Sequence, residues 1–383
     1  MKKEIYLDYQ ASTPVDPRVL KAMLPYFVDF FGNAASVHQQ GLQAKAAVEH
    51  ARSQVAKLLG VEASEIIFTS GATESNNLAL LGLFKAFPQK KHFITAVTEH
   101  SSVLETAAYL ESQGAEFSYL AVNKMGQVNL EELKKSIRPD TLVISLMAAN
   151  NEIGTLHPLK EIGQIAKEAG VFFHSDAAQA VGKIPLDLKR LGVDLLSLSS
   201  HKFYGPKGIG ALYLNQDQPL LKLKPILYGG GHEKGLRSGT LNVPAIMGLG
   251  EAARLSEELI PEESKRLQND RDQLWQDLQK EISGLKLHGS LEDRLPHNLN
   301  FSVKGLSAER MLMELKGKLA LSTASACTSA QTKPSHVLKA LGLSSEEMKG
   351  SLRLSLGRMT SSQELSMIVR ILSETIDKHR QSV

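Results

Sequence analysis

Seven polar residues stand where apolar runs stop: Thr73, His100, Asn151, Asp176, Gln179, His201 and Lys202. Lys202 lies in "LSLSSHKFYGPKG", on a polar loop behind an apolar strand, and Asp176 ends "VFFHSD" 26 residues earlier. A lysine taken out of water loses its proton below the ordinary value of about 10.4 and becomes a nucleophile. An acid at the end of a buried strand can pair with a ring nitrogen. "TSGATESNN", residues 69–77, sets Gly71 ahead of Ala72 and Thr73, which open a helix. Helix amino ends attract anions, and glycine lets the backbone come close. His100 in "TEHSS" can lie flat on a ring and change charge near neutral pH.

Each feature alone has an ordinary explanation: a solvated lysine, a turn-capping aspartate, a plain capped helix, a hydrogen-bonded histidine. Together they supply what pyridoxal 5′-phosphate requires. That cofactor needs an amine for its Schiff base and a carboxylate for its pyridinium nitrogen. Helix amides and hydroxyls hold its phosphate, and a flat side chain covers one ring face.

Other chemistries fit less well. His-Glu-x-x-His is absent, and His100, His174 and His201 are scattered, so no resident metal is expected. "GPKGIG" lacks the spacing and the hydroxyl of a phosphate-binding Walker loop, and "GIGALY" leads into a strand. Cys327, in "LSTASACTSA", is the only cysteine in 383 residues, which excludes an intrachain disulfide. Its small polar neighbours suit a surface loop, although free cysteines are usually buried. It reads either as an inert surface thiol or as a nucleophile on a mobile tether. Only a few per cent of an ordinary thiol is ionised at neutral pH, so a nucleophile would need a proton acceptor, for which His100 is the candidate.

The elements that must position these residues alternate. Helical spacing covers "AKAAVEHARSQVAKLL", "ATESNNLALLGLFKAF", "SSVLETAAYLESQG" (capped by Ser101 or Ser102) and "PLKEIGQIAKEAG". Strand-like runs lie between them: "SEIIFTSG" (strand, then loop), "KHFITAVTEH", "TLVISLMAAN" and "VFFHSDAAQAVG", whose strand ends at Asp176. This alternation predicts an α/β fold, a mostly parallel sheet covered by helices on both faces. Residues 251–282 read as one long charged helix interrupted near Pro261. We expect a large domain over 15–255. Residues 1–14 and 256–383 would form a smaller α+β domain carrying the cysteine loop at about 321–335. A formal charge of +3, no long basic run, and no apolar run near the 20 residues of a membrane span argue against nucleic acid or membrane as partners. "MKKEIYLDYQ" lacks the apolar core of a signal peptide, which points to the cytoplasm.

The ordered motifs "YLDYQASTPVDPRV", "GATESNN", "TEHSS", "NNEIG", "HSDAAQAVGKIPLD", "SSHKFYGPKGIG", "GGGHEKGLRSGT", "SACTSA" and "LRLSLGR" resemble those of the cysteine desulfurases. These are pyridoxal-phosphate enzymes of the aspartate-aminotransferase fold (fold type I), and the likeness runs from residue 6 to about 360. The long stretch around "SACTSA" is similar to the housekeeping iron–sulfur class. The resemblance implies that Lys202 forms the Schiff base and moves a proton, that Asp176 pairs with the pyridine nitrogen, and that His100 stacks on the ring. Gln179 and Asn151 would bond near the ring oxygen and the substrate carboxylate. Ala72, Thr73, Ser199, Ser200 and His201 would hold the phosphate, and Thr240 would reach the phosphate of the other subunit in a homodimer. Arg353 would grip the carboxylate of L-cysteine, with Arg358 as the competing choice. Cys327 would attack the substrate sulfur, releasing alanine and keeping a persulfide. An acceptor protein would take that sulfur for iron–sulfur cluster assembly or tRNA thiolation, and Cys327 could ligate a transferred cluster. A selenocysteine lyase, an aminotransferase and a low-activity assembly scaffold are the alternatives on the same fold.

Overall fold

The computed structural model describes residues 4–323 and 334–381, so Cys327 lies outside the described residues. The strands are β1 (Ile5–Tyr6), β2 (Ile66–Thr69), β3 (His92–Ala96), β4 (Glu116–Leu120), β5 (Thr141–Ser145), β6 (Phe172–Asp176) and β7 (Leu195–Ser199). They continue with β8 (Gly210–Leu214), β9 (Leu285–Leu287), β10 (Asn298–Val303), β11 (Leu319–Ala320), β12 (Ser322–Thr323) and β13 (Ser351–Ser355). Seven of them form one sheet in the order β2-β8-β7-β6-β5-β3-β4. β8 runs antiparallel to both neighbours, and every other pairing in that sheet is parallel.

The pleat sends successive side chains to opposite faces. Ile67, Phe93 and Val143 enter one apolar core with Leu78 and Leu83 of the helix Ala72–Ala86. Their neighbours Phe68, Ile94 and Ile144 enter another, with Val48 and Val55 of the helix Gln39–Leu59. Both faces are therefore covered, as the fully apolar strands predict. This is the α/β architecture expected from the sequence.

A second sheet, β12-β13-β10-β9, is antiparallel. The helix Val243–Glu281 joins the two regions. It starts before residue 251 and passes Pro261 without a break, which corrects the expected interruption. Proline removes one helical hydrogen bond and crowds the preceding turn. Here packing outweighs that cost. Leu249, Ala253 and Leu255 sit in the core of the large sheet, and Leu267, Leu274 and Leu278 in that of the small one. Both halves are clamped on either side of the proline. Among the described residues no helix is long and apolar enough to cross a membrane.

Candidate active site

Strands β2, β3, β5, β6 and β7 run the same way, and the segments that follow them surround a cavity of about 350 Å³. Open α/β sheets bind ligands in this crevice. Asp176 is the last residue of β6, and Lys202 closes the single turn Ser200–Lys202 after β7. Lys202 Nζ donates to the carbonyls of Gln10 (2.7 Å) and Ala11 (3.1 Å). The Gln10 carbonyl also accepts from Gln179 Nε2 at 3.1 Å. Sequence reasoning assigned Gln10 no role. It acts through its backbone, which leaves no mark on residue type; its place in "YLDYQAST" was the one available signal.

Asp176 Oδ1 accepts from the amide of Ala178 (2.9 Å) and Oδ2 from Asn76 Nδ2 (2.7 Å). Asn76 was also missed, although it lies inside "GATESNN". His100 lines the same cavity and is the N-cap of the helix Ser101–Ser112. Its Nδ1 accepts from the Ser102 amide at 3.1 Å, so the cap is this imidazole and not Ser101 or Ser102. A ring nitrogen serves there as a hydroxyl oxygen does elsewhere. Burial holds His100 below the ordinary imidazole pKa, with the Asp176 charge opposing and the Lys202 charge adding.

The helix Ala72–Ala86 begins after Gly71, whose φ is 152°, and no side chain caps it. Its first amides are therefore available to an anion. A Cβ on Gly210 would come within 2.3 Å of the Leu198 carbonyl and 2.6 Å of Gly71 Cα, so two glycines let the backbone close round this end. Ala72, Thr73, Ser199 and His201 line the cavity here. Burial, then the Lys202 and Lys207 charges, bring His201 down to about 4, so it is neutral. Glu74 accepts from the Ser70 amide (2.8 Å) and from Arg237 Nε (2.9 Å), tying the glycine-rich stretch to the same helix end.

One expected residue lies elsewhere. The side chain of Ser200 is wholly buried off the cavity, where a Cβ on Gly205 would meet its Oγ at 1.9 Å. Thr240 is exposed. The arginines separate cleanly. Arg353 is buried and lines the cavity; it donates to the Asn151 carbonyl and to Asp8 Oδ1, both at 2.8 Å, while its Nε has no partner. Arg358 is outside the lining, bonded to Glu263 (3.0 Å) and Asp16 (2.8 Å) and stacked 4.0 Å over Tyr204. The described residues nearest the cysteine stretch are tied beside the cavity. Ser322 Oγ donates to Asp8 Oδ2 (2.7 Å), Ser335 Oγ to Glu152 Oε2 (2.5 Å), and His336 Nε2 to the Glu99 carbonyl (2.9 Å).

A larger hollow, about 460 Å³, opens at the amino ends of β6 and β7. Lys90, Lys167 and Lys189 line it, with Lys189 paired to Glu65 and Asp217 and Lys90 bonded to the Thr141 carbonyl. Its described lining has no histidine, no arginine and no uncapped helix amino end beside them, so the smaller cavity is the chemically equipped one. Among the described residues no cluster of His, Cys, Asp and Glu could hold a metal ion.

The family model for class-V aminotransferases matches residues 5–368. The cysteine desulfurase IscS of Anaeromyxobacter sp. (strain K) is 49% identical over 383 residues, covering 100% of this chain and 94% of the relative. This chain belongs to the cysteine desulfurase family. Two solved structures share its fold. A NifS-like protein superposes with a TM-score of 0.91 at 37% identity, over 98% of this chain and 99% of the other. SspA, solved in complex with cysteine, gives 0.82 at 39% identity, over 92% and 98%. The family motifs that are far apart in the chain, from "GATESNN" to "LRLSLGR", meet at one cavity.

Proposed function

We propose that this chain is a cysteine desulfurase that uses pyridoxal 5′-phosphate to convert L-cysteine to L-alanine and leaves the sulfur as a persulfide on Cys327. Lys202 and Asp176 facing one cavity beside an uncapped helix amino end is the observation that favours this chemistry. The residues present fit the cofactor. Gly210 lets β8 pack against Gly71 where a Cβ would clash, Gly71 lines the cavity, and the first amides of Ala72–Ala86 have no capping side chain. Ala72, Thr73, Ser199 and His201 would hold the phosphate, Asp176 the ring nitrogen, and Asn151 and Gln179 the ring's polar edge. His100 would cover the ring face and Lys202 would carry the aldehyde carbon. When bound, the cofactor accepts the electrons left at the substrate's α-carbon.

The chain's own residues do the rest. Arg353, which lines the cavity, grips the α-carboxylate through the N–H groups not spent on Asn151 and Asp8. Lys202 takes the α-proton on Nζ, in a position set by the Gln10 and Ala11 carbonyls. The Cys327 thiolate attacks the substrate sulfur; an S–S bond forms as the C–S bond breaks, its electron pair stays with the substrate's β-carbon, and protonation there completes alanine while the persulfide remains on Cys327. The acceptor of the persulfide sulfur is a second protein serving iron–sulfur cluster assembly or tRNA thiolation. A homodimer completes the site through Thr240. Its exposure supports this, and so do Leu24, Phe27, Val28 and Phe31, which are exposed in one short stretch. Apolar side chains left so open are commonly covered by a partner.

The test is the absorption spectrum of the purified protein before and after L-cysteine, with alanine and sulfide measured. Protein that stays colourless with added pyridoxal phosphate, or that consumes cysteine without forming alanine, overturns the reading.

A further inference from the structure

Asn76 and Ser102 have no part in the chemistry above, yet they stand between Asp176 and His100. Asn76 is wholly buried and Ser102 nearly so. Asn76 Nδ2 donates one proton to Asp176 Oδ2 (2.7 Å) and the other to Ser102 Oγ (2.8 Å). An ionised carboxylate only accepts, so the amide must turn its nitrogen toward Asp176. Ser102 Oγ, having accepted, keeps one proton to give, and His100 Nδ1 lies 2.8 Å away. The same Nδ1 faces the Ser102 backbone N–H at 3.1 Å, which can only donate. Two donors converge on Nδ1, so that nitrogen is bare. Burial and the positive helix amino end both disfavour a charged ring. A neutral ring with a bare Nδ1 carries its proton on Nε2.

We infer that Asn76 and Ser102 are positioning residues, linking Asp176 to His100 in one directed hydrogen-bond chain that fixes His100 as a neutral donor at Nε2. A ring held this way has no free lone pair. It gives a hydrogen bond into the cavity and does not take the proton of a thiol, which reverses the acceptor role expected from the sequence. The fold carries a cost for the arrangement: Asn76 Oδ1 is buried without a partner. An apolar side chain of similar size would avoid that cost, so the position is kept for its two N–H groups. The use made of the Nε2 proton rests on the desulfurase reading; the tautomer does not.

The experiment is nitrogen-15 NMR of holoenzyme labelled at histidine, with the His100 signals assigned by their loss in His100→Gln. An unprotonated Nδ1 and a protonated Nε2 at neutral pH are expected; a proton on Nδ1, or a charged ring, overturns the inference. A second arm compares Ser102→Ala, Asn76→Leu and the double variant. Each single change should lower kcat about 10-fold with KM within about 2-fold, and the double should be no worse than the worse single, because both break one chain. Ser102→Thr, which keeps the hydroxyl, should recover the rate. Losses that multiply to about 100-fold in the double variant would refute a shared chain. Protein that forms no alanine sinks the desulfurase reading, while the nitrogen spectrum still decides the tautomer.

Discussion

Arg353→Lys separates a two-point grip on the substrate carboxylate from a mere positive charge. Arg353 is 1% exposed. It spends one N–H on the Asn151 carbonyl and one on Asp8, and its Nε–H is buried without a partner. Each terminal nitrogen keeps one further N–H, and a carboxylate arriving in the cavity would take that pair in a two-point grip. Lysine keeps the charge but offers a single compact point, so one charge-assisted bond is lost. Such a bond contributes about 1.5–3 kcal/mol. At about 1.4 kcal/mol per factor of ten, cysteine should bind roughly 10- to 100-fold more weakly. The assay is alanine formation against cysteine concentration, with cofactor absorbance and thermal unfolding as controls. KM should rise by that factor while the bound-cofactor spectrum is kept. Arg358→Lys should leave KM unchanged and lower the unfolding temperature, because Arg358 is committed to Glu263 and Asp16. Wild-type KM in Arg353→Lys, or a matching loss in Arg358→Lys, would show that the grip lies elsewhere.

Cys327→Ser should keep the coloured cofactor and bind cysteine but form no protein persulfide, read by mass spectrometry; persulfide on the serine variant would move the acceptor to another group. Thr240→Val should speed cofactor loss on dilution only if a second copy brings Thr240 to the phosphate, so unchanged retention in the intact dimer would count against the shared site. Lys183 Nζ is buried without a hydrogen-bond partner, 4.3 Å over the Tyr204 ring, and burial brings its pKa from 10.5 down to about 7. A depressed amine favours the folded state above about 10.5, and that advantage drains away as pH falls toward about 7. Lys183→Met should therefore gain stability over wild type as pH drops through that window. At about 1.4 kcal/mol per pH unit the ceiling is about 5 kcal/mol, and denaturant melts at several pH values that run parallel for the two proteins would contradict it.

The alternation of apolar strands with amphipathic helices is legible in the residue order itself, because it depends only on order and period. So is the convergence of Lys202 and Asp176: their spacing is one strand-and-helix unit, which returns the chain to the same sheet edge. Contacts made through the backbone, or between side chains far apart in the chain, are not legible. The Gln10 carbonyl holds Lys202 across 192 positions, and Asn76 reaches Asp176 across 100. Nothing in the residue types at those positions announces a contact over such distances.

Directions of side chains are equally hidden. Arg353 lies within β13, where burial turns its guanidinium into the cavity, whereas Arg358 lies past the strand's end and is drawn to Glu263 and Asp16. Ser199 and Ser200 are neighbours, yet only the first lines the cavity, because the chain leaves the pleat of β7 between them. Sequence alone determined which elements form and which chemistry they carry to one edge. Tertiary structure decided which of two similar residues is used, and which nitrogen of His100 bears the proton, because both depend on partners that only long-range packing brings into contact.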